Sequence, residues 1–132
     1  PQYSEEALDI LNVERIDHGV RCLEDPALVE RLRSAQTPLT VCPLSNVKLK
    51  VFPQMADHNI AAMDRAGLCV TINSDDPAYF GGYINENFAA VQRAFDLDQA
   101  ALVQYAIRSV DASFAPDTRK SALREEIIQA TS

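Results

Sequence analysis

Histidine is scarce in this chain, with only His18 and His58 among 132 residues. That scarcity argues against a self-contained histidine-rich metal site. Positive charge is also short. Twelve basic side chains face 19 acidic ones, giving a net charge of -7 and a pI near 4.7. Such a field repels a phosphate backbone, so no nucleic-acid partner is expected. No stretch approaches the roughly 18 uninterrupted apolar residues of a membrane span, and no membrane partner is expected. No basic segment followed by an apolar one opens the chain, so no secretory signal is read. The first residue is Pro1 rather than Met, which suits a processed product or a fragment. The cysteines, Cys22, Cys42 and Cys69, are odd in number and widely spaced. They form no C-x-x-C pair and suggest buried thiols in a reducing cytoplasm. There is no G-x-S-x-G setting for a serine and no glycine loop to cradle phosphate.

What remains is an ordinary globular composition, 47% hydrophobic and 23% charged, read as one unit over residues 1–132. Tyr3 to Asn12 reads as a short helix with Ser4 as its cap. Val13 to Ile16 reads as a strand. Asp25-Pro26 predicts a helix start, with Asp as cap and Pro at the first position. Pro38 to Cys42 is a second strand, followed by a polar loop from Leu44 to Pro53. A helix from about Asp57 to Ala66 ends at Gly67. Leu68 to Asn73 is the third strand, and Tyr79 to Gly82 continues as loop. From Asn85 the chain reads as helical, with Asp98 capping one segment and Pro116 or Asp117 opening the last. Short apolar strands without alternation, each followed by a helix, predict an α/β fold with a parallel sheet covered by helices.

Polar residues collect at the strand ends, where parallel α/β folds place their ligands. His18 follows the first strand, Ser45-Asn46 the second, and Asp75-Asp76 the third. An aspartate at that position suits a divalent cation, and its neighbour suits a hydrogen-bonded ligand. A turn with an Asx cap before Pro77 is the other reading. His18, between Asp17 and Gly19, suits an acid, a base or an electrostatic stabiliser. A satisfied, partly buried histidine is its alternative. Ser45 and Asn46 read as ordinary loop residues on their own, and Lys48 and Lys50 as solvated charges. His58 reads as a surface or capping residue. Cys42 and Cys69 read as core packing and Cys22 as partly exposed.

Three segments together carry a resemblance: Arg15-Ile16-Asp17-His18-Gly19-Val20, Val41-Cys42-Pro43-Leu44-Ser45-Asn46 and Ile72-Asn73-Ser74-Asp75-Asp76-Pro77-Ala78-Tyr79-Phe80-Gly81. In order and spacing they resemble the last three strand-end motifs of the adenosine/adenine deaminase family. The resemblance runs from about Val13 to the C-terminal helices. It implies the C-terminal part of a (β/α)₈ barrel, about three βα units with parallel strands plus extra C-terminal helices. A closed barrel of this kind needs roughly 250 residues. The family uses Zn²⁺ to deaminate a 6-aminopurine hydrolytically. By resemblance Asp75 matches the zinc ligand, Asp76 the carboxylate that binds the purine ring, and His18 the histidine that positions and activates the attacking hydroxide. Asp17 and the Cys42-to-Asn46 and Tyr79-to-Gly82 segments look more like the adenine branch than the adenosine branch.

The departures are as informative. The family's His-x-His pair and its His-Ala-x-Glu segment have no counterpart here, so three zinc ligands and the ring-protonating glutamate are missing. The expectation is a section of a deaminase, inactive alone, whose open strand edges need the missing barrel half or self-association. Two other classes stay open: a non-catalytic α/β binding domain derived from this fold, and a Mg²⁺-dependent phosphohydrolase using Asp75-Asp76. No nucleophilic Asp motif heads an earlier strand to support the last.

Overall fold

A computed structural model describes residues 1–131. Three short strands, β1 (Ile16–Asp17), β2 (Leu39–Val41) and β3 (Val70–Ile72), form one parallel sheet in the order β1-β2-β3. Helices separate them. Helix α1 is Gln2–Ile10, α2 is Pro26–Ala35, α3 is Pro43–Lys48, α4 is Ile60–Arg65 and α5 is Pro77–Phe80. Three longer helices complete the chain: α6 (Ile84–Phe95), α7 (Gln99–Asp111) and α8 (Asp117–Ala130).

Register sorts the strand residues into rows. Ile16 lies opposite Leu39 and Leu39 opposite Val70, then Asp17 opposite Thr40 and Thr40 opposite Thr71. Side chains alternate between faces along a strand. Ile16, Leu39, Val41, Val70 and Ile72 therefore share one face, and all are buried in a core with Leu28 and Leu32 of α2, Ile60 and Met63 of α4, Val91 of α6 and Tyr105 of α7. The opposite face carries Asp17, Thr40 and Thr71, and Thr40 Oγ1 donates to Asp17 Oδ1 across the row at 2.8 Å. The strands thus do alternate, contrary to the expectation of apolar strands without alternation. Only one face is packed with apolar side chains, and the other is polar.

Local chemistry explains most boundaries. Asp25 caps α2 by accepting from the backbone of Ala27 and Leu28, with Pro26 at the first position, as expected. Asp98 caps α7 through Ala101 N–H. Gly67, at φ +78°, follows α4 as a left-handed terminator. Other expectations need correction. Pro1, not Ser4, precedes α1. The first strand is Ile16–Asp17 rather than Val13–Ile16. A 3₁₀ turn at Met55–Asp57 precedes α4, which begins at Ile60 rather than Asp57. The supposed loops after β2 and β3 both begin as helices, α3 and α5, each with proline in its first turn. Cys22 is buried and Cys69 is partly exposed, the reverse of the sequence reading.

Candidate active site

Two residues leave their strands in the same unusual way. His18 after β1 has φ +59° and Asp75 after β3 has φ +58°. The left-handed region costs a residue with a Cβ roughly 1–2 kcal/mol, and Asp and His are among those that tolerate it. Gly19, at φ +68°, continues the turn after His18, and a Cβ there would lie 2.8 Å from Leu39 Cδ2. These paired turns swing both side chains over the C-terminal edge of the sheet. His18 Nε2 comes within 3.7 Å of Asp75 Oδ2. Strain of this kind concentrates at functional sites.

The middle strand supplies the support. Pro43 starts α3 directly after β2, so Ser45 and Asn46 sit in its first turns, 0% and 3% exposed. Ser45 Oγ donates to Asp75 Oδ2 at 2.6 Å, and Asp76 N–H donates to Asp75 Oδ1 at 2.9 Å. Both carboxylate oxygens of Asp75 are thereby oriented. Asn46 Nδ2 lies 3.3 Å from His18 Nδ1, and His58 Nε2 lies 3.1 Å from Asn46 Oδ1. His58 is 3% exposed, and burial lowers its pKa to about 4. The start of α3 is itself held from a distance. Asn87 of α6 is fully buried, accepts from Leu44 N–H at 3.0 Å, and donates to the carbonyls of Gly82 and Tyr83.

Above the sheet lies a cavity of about 310 Å³ lined by Arg15, Asp17, His18, Thr40, Cys42, Asn73 and Asp75. The polar sheet face forms its floor. Arg15 is tied back by stacking over Phe114, 4.2 Å from the ring centre. Among the described residues, His18, Cys42 and Asp75 form a group whose ligand atoms lie within 4.8 Å of one another. Burial first, and the Asp75 charge second, push the Cys42 thiol up to about 12. The group offers an oxygen ligand from Asp75 with an imidazole and a thiol alongside, and with three donors it does not close a four-ligand site.

Residues 1–130 match the sequence profile of the adenosine deaminase family. The chain belongs to that family. Among its relatives, the adenine deaminase of Hahella chejuensis is 54% identical over 129 residues, 98% of this chain and 39% of that protein. The adenine deaminase of Acinetobacter baylyi is 55% identical over the same shares. The crystal structure of an adenine deaminase from Arthrobacter aurescens superposes with a TM-score of 0.96 at 48% identity, covering 98% of this chain and 39% of that one. An amidohydrolase from Burkholderia ambifaria, solved with bound zinc, superposes with a TM-score of 0.86 at 27% identity, covering 98% and 36%. The chain thus spans about 39% of the length of the adenine deaminases it matches. Its parallel βα units are a section of a (β/α)₈ barrel.

In this adenosine deaminase family member, the residues expected from sequence fall unevenly. His18 and Asp75 meet at the cavity. Asp76 does not line it. It is exposed at the N-cap of α5, where Oδ1 accepts from Tyr79 N–H at 3.1 Å. Ser45 and Asn46 are not ordinary loop residues but buried partners of Asp75 and His18. His58 caps α4 by accepting from Ile60 N–H at 3.0 Å, yet it is buried rather than at the surface. Cys42 lines the cavity as well as packing. Asn87 escaped notice because no local pattern marks an asparagine that caps another helix 43 residues away.

Proposed function

We propose that this chain is a section of a zinc-dependent purine deaminase, read as one structural unit, that converts adenine to hypoxanthine in preference to adenosine to inosine. The observation that carries the reading is the pairing of His18 with Asp75 over a polar cavity in a chain that is 54–55% identical to adenine deaminases. Asp75 is the residue that would hold zinc, and bound zinc supplies Lewis acidity that brings the pKa of water toward about 7. The chain's own residues do the rest. Ser45 and the Asp76 backbone keep both Asp75 oxygens aimed, which restricts where the attacking oxygen can stand. His18 Nε2 hydrogen-bonds that oxygen as it bonds to the ring carbon bearing the amino group. The C–N bond then breaks as one hydrogen of the water passes to the amino group, which leaves as ammonia, and the other passes to the adjacent ring nitrogen of the product. Asp76 keeps Oδ1 on its cap and uses Oδ2 to accept from the purine ring.

Among the described residues the sheet ends at β1 and β3, which supports packing of these outer edges against the remaining barrel strands or a second copy. Three free cysteines support a reducing, cytoplasmic setting. No helix among the described residues is long and apolar enough to cross a membrane.

The test is a direct assay of ammonia release from adenine and adenosine, with the full-length protein and with these 132 residues alone. We expect turnover of adenine by the full-length protein and neither turnover nor stoichiometric zinc with the short chain. Binding of adenine by the full-length protein without ammonia release would instead favour a non-catalytic domain.

A further inference from the structure

We infer that Asn46 and His58 are positioning residues that lock His18 in its Nε2–H tautomer. The inference rests on the reading of His18 as the residue that hydrogen-bonds the attacking oxygen in a deaminase. Its geometry does not depend on any bound group.

The direction of the relay is set at its far end. Ile60 N–H is a backbone donor and cannot reverse its role. It reaches His58 Nδ1 at 3.0 Å, so that nitrogen must carry the lone pair. Burial keeps the His58 ring neutral, which leaves its single proton on Nε2. That N–H donates to Asn46 Oδ1 at 3.1 Å. The contact fixes which way the amide faces, with oxygen toward His58 and nitrogen toward His18. Asn46 Nδ2 then donates to His18 Nδ1 across 3.3 Å. With Nδ1 accepting, the His18 proton resides on Nε2, the nitrogen 3.7 Å from Asp75 Oδ2. Asn46, His58 and Ile60 are each no more than 3% exposed, so water has little access to substitute for any link. The Phe52 ring, 4.3 Å from the His58 ring centre, covers the relay from one side.

The opposite tautomer would turn a lone pair of His18 toward a carboxylate oxygen. It would also face the proton away from the cavity. Without that proton Nε2 could not donate to the attacking oxygen, and losing one such donor typically costs about 10²–10³-fold in turnover.

The experiment uses full-length protein, metal removed, labelled with ¹⁵N only at histidine, in alkaline buffer. The His18 signals are assigned by their loss in His18→Gln. Nitrogen shifts distinguish a protonated ring nitrogen from a bare one, whatever the activity. We expect a bare Nδ1 and a protonated Nε2 in His18. His58→Met fills the space but removes the donor. It should give mixed His18 tautomers and a kcat at least about tenfold lower, with KM little changed. His58→Gln returns an N–H toward Asn46 and should restore both the nitrogen pattern and most of kcat. Asn46→Asp offers oxygen to both neighbours, so His18 Nδ1 must donate. The pattern should invert and kcat should fall by about 10²-fold or more. If Asn46→Asp fails to fold, the Met and Gln pair carries the test. A protonated Nδ1 in the unaltered protein, or an unchanged pattern in His58→Met, overturns the inference. The expected nitrogen patterns in a protein that releases no ammonia from any purine would uphold the relay and refute the deaminase reading.

Discussion

Ser45 Oγ donates to Asp75 Oδ2 at 2.6 Å, joining the first turn after β2 to the turn after β3. The serine is fully buried, so this hydroxyl has no water to turn to. A carboxylate oriented in this way presents one defined lone pair to a metal, and losing such a partner typically weakens metal binding or activity 10–100-fold. Ser45→Ala in the full-length protein should therefore lower zinc affinity by roughly that factor, measured by competition with a chelator. Unchanged affinity would mean that Asp75 needs no such support.

Asp75→Asn separates charge from shape. Asparagine tolerates the left-handed backbone as well as aspartate does, so the fold should survive, at a cost of about 1–3 kcal/mol because the amide can accept from only one of Ser45 Oγ and Asp76 N–H. Zinc content should fall by at least about 100-fold and turnover with it. Full zinc occupancy in a folded Asp75→Asn protein would place the metal elsewhere.

His58 predicts a pH dependence with a definite sign. Its folded pKa is lowered from 6.5 to about 4 by burial. The unfolded chain therefore takes up the proton first as pH falls. The associated stability is complete above about 6.5, declines as the pH is lowered, and is lost by about 4. The gap corresponds to roughly 3 kcal/mol. Urea midpoints measured across that range should drop, and His58→Gln should flatten the drop. Parallel curves for the two proteins would contradict it.

Asn87→Ala should destabilise the protein by about 2–3 kcal/mol, since Leu44 N–H would lose its acceptor in a closed interior. Hydrogen exchange at Leu44 and Ser45 should accelerate more than exchange in α7. Uniform acceleration would show that Asn87 supports the whole molecule and not α3 in particular.

The sequence makes His18 and Asp75 visible because each follows directly on an apolar strand, and strand ends are where parallel sheets hold ligands. Asp25 and Asp98 are visible for a different reason, since a cap acts on residues two or three positions away. Helix α5 carried the same signal as α2, an aspartate followed by proline, yet the glycines beyond Phe80 suggested a loop. Helix α3 is harder. Its buried positions include Ser45 and Asn46, polar residues that a hydrophobic pattern discards. The polar row of Asp17, Thr40 and Thr71 is masked in the same way, because two threonines in a β-branched run read as strand material of either face. The relay through Asn46 joins residues 28 and 12 positions apart, and only the folded chain brings them within reach.

The grip of Asn87 on Leu44 also orders events in time. A ribosome releases the chain from its N-terminus, so β1, β2 and the segment of α3 emerge well before α6. Until some forty further residues have appeared, nothing caps the helix that carries Ser45 and Asn46. The edge that carries Ser45 and Asn46 is thus completed only once α6 has emerged, well after its own residues are made.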